Sequence, residues 1–182
     1  TKWRPWRLGL GLSILFFATA LVTTALGAPE AEDPFQSADP GPHTIQVDPG
    51  QYQHILYVAA GGTGDGTRQA PAGQVEAALD LAKDAGAENR YAILVSAGTY
   101  KAVNLQLKSH VDLFGGFDET DWGRDLVANE TILDADGRGR VLVEANDVRV
   151  DGFTIAGGRV RGYGGAILCE DTRPALTNNT FK

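Results

Sequence analysis

The acidic residues with the clearest potential for chemistry lie together in the segment Asp118-Glu-Thr-Asp-Trp122. Asp118, Glu119 and Asp121 could bind a cation or sugar hydroxyls, because clustered carboxylates supply the oxygen ligands that calcium prefers. The flat indole of Trp122 could stack on a sugar ring. The alternative is a solvated loop with Trp122 packed on its neighbours. Asp118, Asp121 and Trp122 are therefore candidate surface-binding residues.

A second candidate surface lies in the polar loop that contains Glu170, Asp171 and Arg173. Charges of both signs on one outward loop could flank a binding groove, so these three residues are also candidates. The segment Asp134-Ala-Asp136-Gly137 begins like a calcium-binding loop, but it lacks the further acidic positions of such a loop. It is predicted to be a turn.

Other patterns exclude several classes of site. The segment Gly61–Thr67 lacks the Gly-Lys-Ser/Thr ending of a phosphate-binding loop, and it is predicted to be a turn with left-handed glycines. His43, His54 and His110 do not have the spacing of zinc ligands. The carboxylates cannot be paired into a hydrolase site from the sequence alone. We therefore predict no catalytic residue, no cofactor and no metal site.

The elements that would position these residues are one helix and many short strands. Val75, Ala78, Leu79 and Ala82 repeat with the helical period, which predicts a helix over 72–85 that ends at Gly86. Elsewhere aliphatic residues alternate with polar ones, which predicts strands between tight turns. The predicted strands centre on 55–59, 91–95, 105–107, 111–113, 132–133, 141–143, 148–150, 153–155, 167–169 and 176–181, and Gly98–Tyr100 is predicted to be a turn.

An internal repeat predicts how these strands are arranged. Val150–Ile155 matches Leu176–Phe181 at an offset of 26 residues, and Val111–Gly115 matches Val148–Gly152. Short strands in repeats of this length are typical of a parallel β-helix, because stacked coils bury inner faces that a single coil cannot bury. The predicted fold class is therefore all-β, a parallel β-helix (solenoid).

The last repeat predicts specific corner and interior positions. Gly164-Gly165 and Asn178-Asn179 are predicted to form corners, because glycine and asparagine tolerate left-handed backbone. Ile167 and Cys169 are predicted to point into the interior. Cys169 is the single cysteine of the sequence, which favours a buried small apolar side chain there.

The first 28 residues differ from the rest of the chain. Lys2, Arg4 and Arg7 precede an uncharged run that ends in small residues, which is the layout of a secretory signal peptide. The alternative is an uncleaved membrane anchor, because the run is long enough to span a bilayer. We predict a signal peptide over 1–28, a flexible linker over 29–44, and a cap with the first coils over 45–182. The predicted location is secreted or on the cell surface.

Charge limits the partners of the exported part. Without residues 1–28 the chain keeps 13 of its 16 basic residues against all 23 acidic ones, a net charge of −10. Nucleic-acid binding is not expected, because phosphate contact depends on clustered Lys and Arg. Membrane contact is expected only through the N-terminal segment if it stays uncleaved. The expected partners are polysaccharide or cell-surface components.

Five segments, in this order, resemble the right-handed parallel β-helix (pectate-lyase-like) superfamily, specifically exported bacterial proteins of the DUF1565 type. They are YVAAGGTGDGTRQAPAGQVEAALDLA, ILVSAGTY, VDLFGGFDETDW, TILDADGRGRVL and VRVDGFTIAGG. GGAI at 164–167 and NNTF at 178–181 resemble the repeat of polymorphic outer membrane proteins. The resemblance covers about residues 55–182. It implies a right-handed β-helix with the 72–85 helix in an N-terminal cap, and a native protein that continues into further coils.

Two functional hypotheses follow. The first is an exported, non-catalytic β-helix protein with a structural, adhesive or carbohydrate-contacting role. The second is the N-terminal part of a lyase or hydrolase that acts on acidic polysaccharide, with its active site in later coils. The resemblance implies Asp-bound Ca²⁺ and an Arg or Lys base in such lyases, so Ca²⁺ belongs only to the second hypothesis. Fold analogy alone does not choose between the two.

Overall fold

The computed structural model describes residues 47–143 and 145–182 of the 182-residue chain. Their fold is mostly β, with parallel sheets and one α-helix, in agreement with the predicted all-β class. Within this described part, no helix has the length and apolar character needed to cross a bilayer. The predicted signal peptide over 1–28 and the predicted linker over 29–44 lie outside the described residues.

The regular elements are short and follow one another closely along the chain. A 3-10 turn, Pro49–Gln51, precedes the first strand, and the single α-helix α1 spans Val75–Leu81. The strands are β1 (His54–Val58), β2 (Tyr91–Ser96), β3 (Gly98–Lys101), β4 (Leu105–Gln106), β5 (Val111–Phe117), β6 (Thr131–Asp134), β7 (Leu142–Val143), β8 (Arg149–Asp151), β9 (Thr154–Ala156), β10 (Ile167–Leu168), β11 (Ala175–Thr177) and β12 (Thr180–Phe181).

The strands form three parallel sheets. The first sheet has the order β1-β2-β5-β8-β11, the second β3-β6-β9-β12 and the third β4-β7-β10. From β2 onward the chain visits the first, second and third sheets in that order and then returns to the first. Each strand of the described part pairs within its own sheet. Every new strand therefore lies beside the strand that the chain added to that sheet on its previous pass.

The register of pairing confirms the internal repeat. Val150 pairs with Leu176 and Ile155 with Phe181, so the 26-residue sequence match is the strand register itself. Leu113 pairs with Val150, which confirms the second match as well. Equivalent residues therefore lie side by side in neighbouring strands, as the repeat predicts.

Aliphatic rows across the sheets form the main core. In the first sheet the row consists of Leu56, Ile93, Leu113, Val150 and Leu176. Ile93, Leu113 and Val150 are fully buried, and they share one core with Leu133 of the second sheet and Leu142 of the third. Burial of each such side chain stabilises the fold by roughly 1.5–3 kcal/mol.

The opposite face of the first sheet is also covered over part of its length. Every residue of β5 is buried, including Asp112 at 5% exposure, which the alternation of polar and apolar residues in this predicted strand does not indicate. A second apolar cluster explains the difference, since it packs Tyr57, Phe114 and Trp122 together on that face. The N-terminal segment around Tyr52 contacts the same cluster.

The α-helix is shorter than predicted at both ends. Ala72 is extended beside β1, because its N–H donates to the Tyr57 carbonyl and its own carbonyl accepts the Ala59 N–H, both at 2.9 Å. At the other end the Lys108 ammonium donates to the carbonyls of Leu79 (2.7 Å) and Ala82 (3.1 Å). It thereby satisfies carbonyls that the last helical turn leaves open.

The apolar face predicted for the helix is confirmed, since Val75, Ala78, Leu79 and Ala82 are all buried. Gly86 does not end the helix. It lies beyond it and exchanges two 3.0 Å backbone hydrogen bonds with Asn89.

Two further predictions need correction. Gly98–Tyr100 belongs to strand β3 and not to a turn, because it pairs with β6 in the second sheet. Cys169 is exposed, and Ile167 is only partly buried. β10 is an edge strand in the described part of the third sheet, so one of its sides has no strand to cover it.

Each predicted corner contains one residue with left-handed backbone. Gly164 and Asn178 have left-handed backbones, with φ of 73° and 53°. The side chain of Asn179 donates to the Val150 carbonyl (2.7 Å) and accepts the Phe153 N–H (2.9 Å). The side-chain amide of Asn179 therefore bonds this corner to the preceding repeat, because it donates to one backbone carbonyl and accepts one backbone N–H there.

Leu113 and Leu176 occupy the same aliphatic row and provide a matched pair of stability tests. Leu113→Ala should lower the free energy of unfolding by roughly 2–5 kcal/mol, because it leaves a cavity at a fully buried site. Leu176→Ala should cost less than about half of that, since Leu176 is already 38% exposed. Urea unfolding followed by circular dichroism measures both. Equal losses would contradict the assignment of Leu176 to an edge.

Candidate functional site

Asp112 is the centre of a polar cluster on the outer face of the first sheet. Its carboxylate accepts a hydrogen bond from the Tyr52 hydroxyl (2.7 Å) and forms an ion pair with Arg90 (3.1 Å). It also accepts the backbone N–H of Arg149 (2.8 Å). Segments beside β1, β2 and β8 thus converge on one carboxylate of β5.

A groove with a volume of about 330 Å³ opens beside this cluster. Its size falls at the lower end of the range for ligand sites. The lining residues come from segments beside β1 and β2 and from β5, β8 and the start of β11. They are Gln51, Tyr52, Arg90, Asp112, Asp147, Val148, Arg149, Arg173 and Ala175.

The lining of the groove carries more positive than negative charge. Three arginines face two aspartates there, although the chain as a whole has a net charge of −7. Arg90 is tied to Asp112, whereas Arg149 and Arg173 are exposed and form no ion pair with any described residue. Guanidinium groups present a rigid fork of donors that matches carboxylates and vicinal acceptors. The groove is therefore suited to a polar or anionic ligand.

The loop that carries Arg173 is fixed to the neighbouring repeat. The backbone N–H of Arg173 donates to the side-chain oxygen of Asn146 (3.2 Å), and the Ala175 N–H donates to the Val148 carbonyl (2.9 Å). Arg149 lies on β8 and Arg173 precedes β11, the next strand. Adjacent strands are about 4.8 Å apart, so the two arginines can act on one ligand.

Tyr52 is a neutral donor in this site. Burial raises its pKa above the usual tyrosine value, and the hydrogen bond to the Asp112 carboxylate raises it further. Its ring packs edge-on against Phe114 at 6.0 Å. With Tyr52, Arg90 and the Arg149 N–H bound to it, the Asp112 carboxylate positions the groove wall.

A buried ion pair holds the strands of the groove together. Arg124 and Asp151 are in contact at 2.5 Å, with side chains 4% and 3% exposed. Arg124 also donates to the Gly115 carbonyl (2.8 Å), and Asp151 accepts from Thr177 (2.5 Å) and Asn178 (3.1 Å). Burial lowers the pKa of Arg124, and the contact with Asp151 opposes that effect. The pair thus joins β5, β8 and β11.

The first predicted surface proves to be a self-contained loop. Trp122 is only 2% exposed and packs edge-on against Tyr57 with ring centroids 4.6 Å apart. Its ring is therefore not available to stack on a sugar. The structure agrees with the alternative prediction, in which Trp122 packs on its neighbours. Asp118 accepts the Thr120 N–H (2.7 Å), which lowers the pKa of Asp118, and Asp121 accepts the Gly123 N–H (2.6 Å). These carboxylates shape their own loop.

The second predicted surface contributes one residue to the groove. Arg173 lines it, whereas Glu170 and Asp171 are exposed outside it. Asp134 accepts the Asp136 N–H (2.7 Å), as in the predicted turn. Within 47–143 and 145–182, no group of three or more His, Cys, Asp or Glu residues could hold a metal ion.

Sequence reasoning missed Tyr52, Arg90, Asp112 and Arg149. A signal for two of them was present in the matching segments Val111–Gly115 and Val148–Gly152. Asp112 and Arg149 occupy the same second position of this shared pattern, so opposite charges were predictable on neighbouring strands. Tyr52 and Arg90 lie outside the repeat, and only the tertiary structure brings them to this face.

Comparison with known proteins identifies no relative of this chain. No family model, no curated protein and no solved structure matches this chain.

Tyr52 gives the site a measurable dependence on pH. Its pKa is higher in the folded state, so its contribution to stability is complete below the unfolded value of about 10. The contribution is lost as the pH rises through the folded pKa. Tyr52→Phe should cost roughly 1.5–3 kcal/mol at neutral pH and less at alkaline pH. Urea unfolding at a series of pH values measures this.

Tyr163→Phe is the matched control for this titration, because Tyr163 is 93% exposed and lies outside the groove. It should follow the wild-type stability profile. A Tyr52→Phe deficit that stays constant up to strongly alkaline pH would contradict the role given to the Tyr52 hydroxyl.

Proposed function

We propose that this chain is an exported, non-catalytic protein with a right-handed parallel β-helix fold that contacts carbohydrate through the groove on its first sheet. The observation that carries this proposal is the groove itself. Successive parallel strands build it, and it presents Arg149 and Arg173 to solvent without ion-pair partners in the described part.

The cyclic order of the strands supports the β-helix. A chain that visits three parallel sheets in the same order and returns each time to the next position winds as a solenoid. Crossovers between parallel strands are almost always right-handed, which supports the hand. α1 packs against β1 and β2 at the start of the first sheet, which supports a capping role for the helix.

The lining of the groove supports a carbohydrate ligand. Sugars present many hydroxyl groups, and the groove offers guanidinium donors together with the acceptor oxygens of Asp147. The excess of arginine further favours sugars that carry carboxylates, because Arg binds a carboxylate through two parallel hydrogen bonds. An open groove across several strands also suits an extended chain better than a compact ligand.

The bonding of Asp112 supports a non-catalytic role. Hydrolysis of a glycosidic bond generally uses two carboxyl groups that flank it, one as the acid and the other as the base or the nucleophile. Asp112 and Asp147 are the carboxylates of the lining, and Asp112 is already engaged by Tyr52, Arg90 and Arg149. The groove can therefore hold a sugar chain without cutting it.

The N-terminal segment supports export. Its basic start, uncharged run and small-residue end are those of a secretory signal. A secreted or cell-surface location in a bacterium would bring the groove into contact with extracellular polysaccharide, which is the partner proposed here. Fusion of residues 1–28 to a reporter enzyme tests this step, since export of the reporter is expected.

The groove should bind oligogalacturonate, a linear chain of acidic sugars. The double variant Arg149→Gln/Arg173→Gln should weaken this binding about tenfold or more, because it removes two charge-assisted contacts. Isothermal titration calorimetry measures the affinity. Arg159→Gln/Arg161→Gln is the matched control, because it removes the same charge from exposed arginines outside the groove.

Three results would contradict the proposal. Failure to bind any acidic or neutral oligosaccharide would exclude carbohydrate as the ligand. Equal losses of affinity in the two double variants would show that net charge alone, and not the groove, explains the effect. Release of unsaturated or shortened products from polygalacturonate, with or without Ca²⁺, would replace a binding protein with the lyase or hydrolase alternative.

A further inference from the structure

A second cationic surface lies away from the groove, on two loops that follow β6 and β9. The sequence Arg138-Gly-Arg140 belongs to the first loop and Arg159-Val-Arg161 to the second. None of these four arginines lines the groove. We refer to the four arginines together with Tyr163 as the arginine patch.

Backbone hydrogen bonds hold the two loops side by side. The Arg159 N–H donates to the Gly139 carbonyl and the Gly137 N–H to the Gly157 carbonyl, both at 2.8 Å. The Arg140 guanidinium reaches the Tyr163 carbonyl at 3.5 Å. The two Arg-x-Arg sequences are therefore next to each other in space and not merely similar in sequence.

The positive charge of the arginine patch is largely unbalanced. Arg138 pairs with Asp136 at 3.1 Å, in an ion pair whose side chains are 54% and 73% exposed. Arg159 and Arg161 are exposed and form no ion pair with any described residue. The Nε atom of Arg140 is buried without a hydrogen-bond partner in the described part. Positive charge is thus concentrated on an otherwise acidic chain.

Tyr163 adds an aromatic side chain to this charge. It is 93% exposed, and glycines precede and follow it in the sequence Gly-Tyr-Gly-Gly at 162–165. Tyrosine has an apolar ring and a polar tip, a combination enriched where a membrane meets water. An exposed ring on a narrow glycine-rich loop can enter such a layer without steric conflict from its neighbours.

We propose that the arginine patch binds the surface of an anionic phospholipid membrane, with Arg159 and Arg161 on lipid phosphates and Tyr163 in the headgroup layer. Lys and Arg near an anionic bilayer each add to the attraction, and arginine binds phosphate through two hydrogen bonds. Because the chain is acidic overall, surfaces other than the patch and the concave groove are repelled, and the patch sets the orientation. The contact is peripheral and independent of residues 1–28.

The shape of the arginine patch favours a membrane over a free polymer. The groove on the first sheet is a concave site that can enclose part of a ligand, whereas the patch presents the exposed loop residues Arg138, Arg159 and Arg161 beside the exposed Tyr163. A protruding cationic and aromatic loop matches a broad anionic layer. The two surfaces therefore have different partners.

Co-sedimentation with lipid vesicles tests this inference. The chain should bind phosphatidylcholine vesicles that contain phosphatidylglycerol, and it should not bind vesicles of phosphatidylcholine alone. Arg159→Gln/Arg161→Gln should weaken binding about tenfold or more, and high salt should do the same. Tyr163→Ser should weaken binding several-fold without altering its dependence on salt.

Arg149→Gln/Arg173→Gln is the matched control, since it removes the same charge from the groove. It should keep full vesicle binding while it loses oligogalacturonate, so failure of this inference is distinguishable from failure of the proposed function. Equal losses in both double variants, or binding that ignores phosphatidylglycerol, would overturn the membrane contact. Competition by oligogalacturonate in the groove variant would reassign the arginine patch to acidic glycan and overturn it as well.

Discussion

In-register parallel pairing between successive repeats is the constraint on which the described fold depends. Each strand places its aliphatic residue beside the equivalent residue of the preceding strand, so Leu113, Val150 and Leu176 form one row. A slip of one residue would turn this row outwards and bring the charges of Asp112 and Arg149 into the core. The cost of burying those charges therefore fixes the register as firmly as the apolar gain does.

The same register builds the polar features of the outer face. Once Leu113 and Val150 point inwards, Asp112 and Arg149 must lie together on the other side. Polar side chains then join the repeats: Asp151 receives bonds from both Arg124 and Thr177. Such buried pairs contribute little net stability compared with apolar contacts, but they are costly to break once one partner is lost. They therefore specify one alignment of the strands.

The two cationic surfaces for which ligands are proposed differ in shape and in how their side chains are held. The groove on the first sheet has fixed walls, because Asp112 holds Arg90 and Tyr52 in place around it. The arginine patch lies on loops held by backbone hydrogen bonds and by the Arg140 side chain, and its Arg159, Arg161 and Tyr163 side chains are exposed. A concave site favours selective binding of a sugar chain, and an exposed cationic surface favours attraction to a broad anionic layer. A protein with both would hold polysaccharide close to a membrane.

The sequence by itself determined the repeat, the parallel alignment of 150–155 with 176–181 and the apolar face of the helix, because these follow from local periodicity. Only the tertiary structure decided the length of the helix, the burial of Trp122 and the groove. The helix end depends on Lys108, the burial of Trp122 on Tyr57, and the groove on Tyr52 and Arg90, which meet their partners across distant parts of the chain. No local pattern encodes such contacts, since they arise where separate repeats and the N-terminal segment pack together.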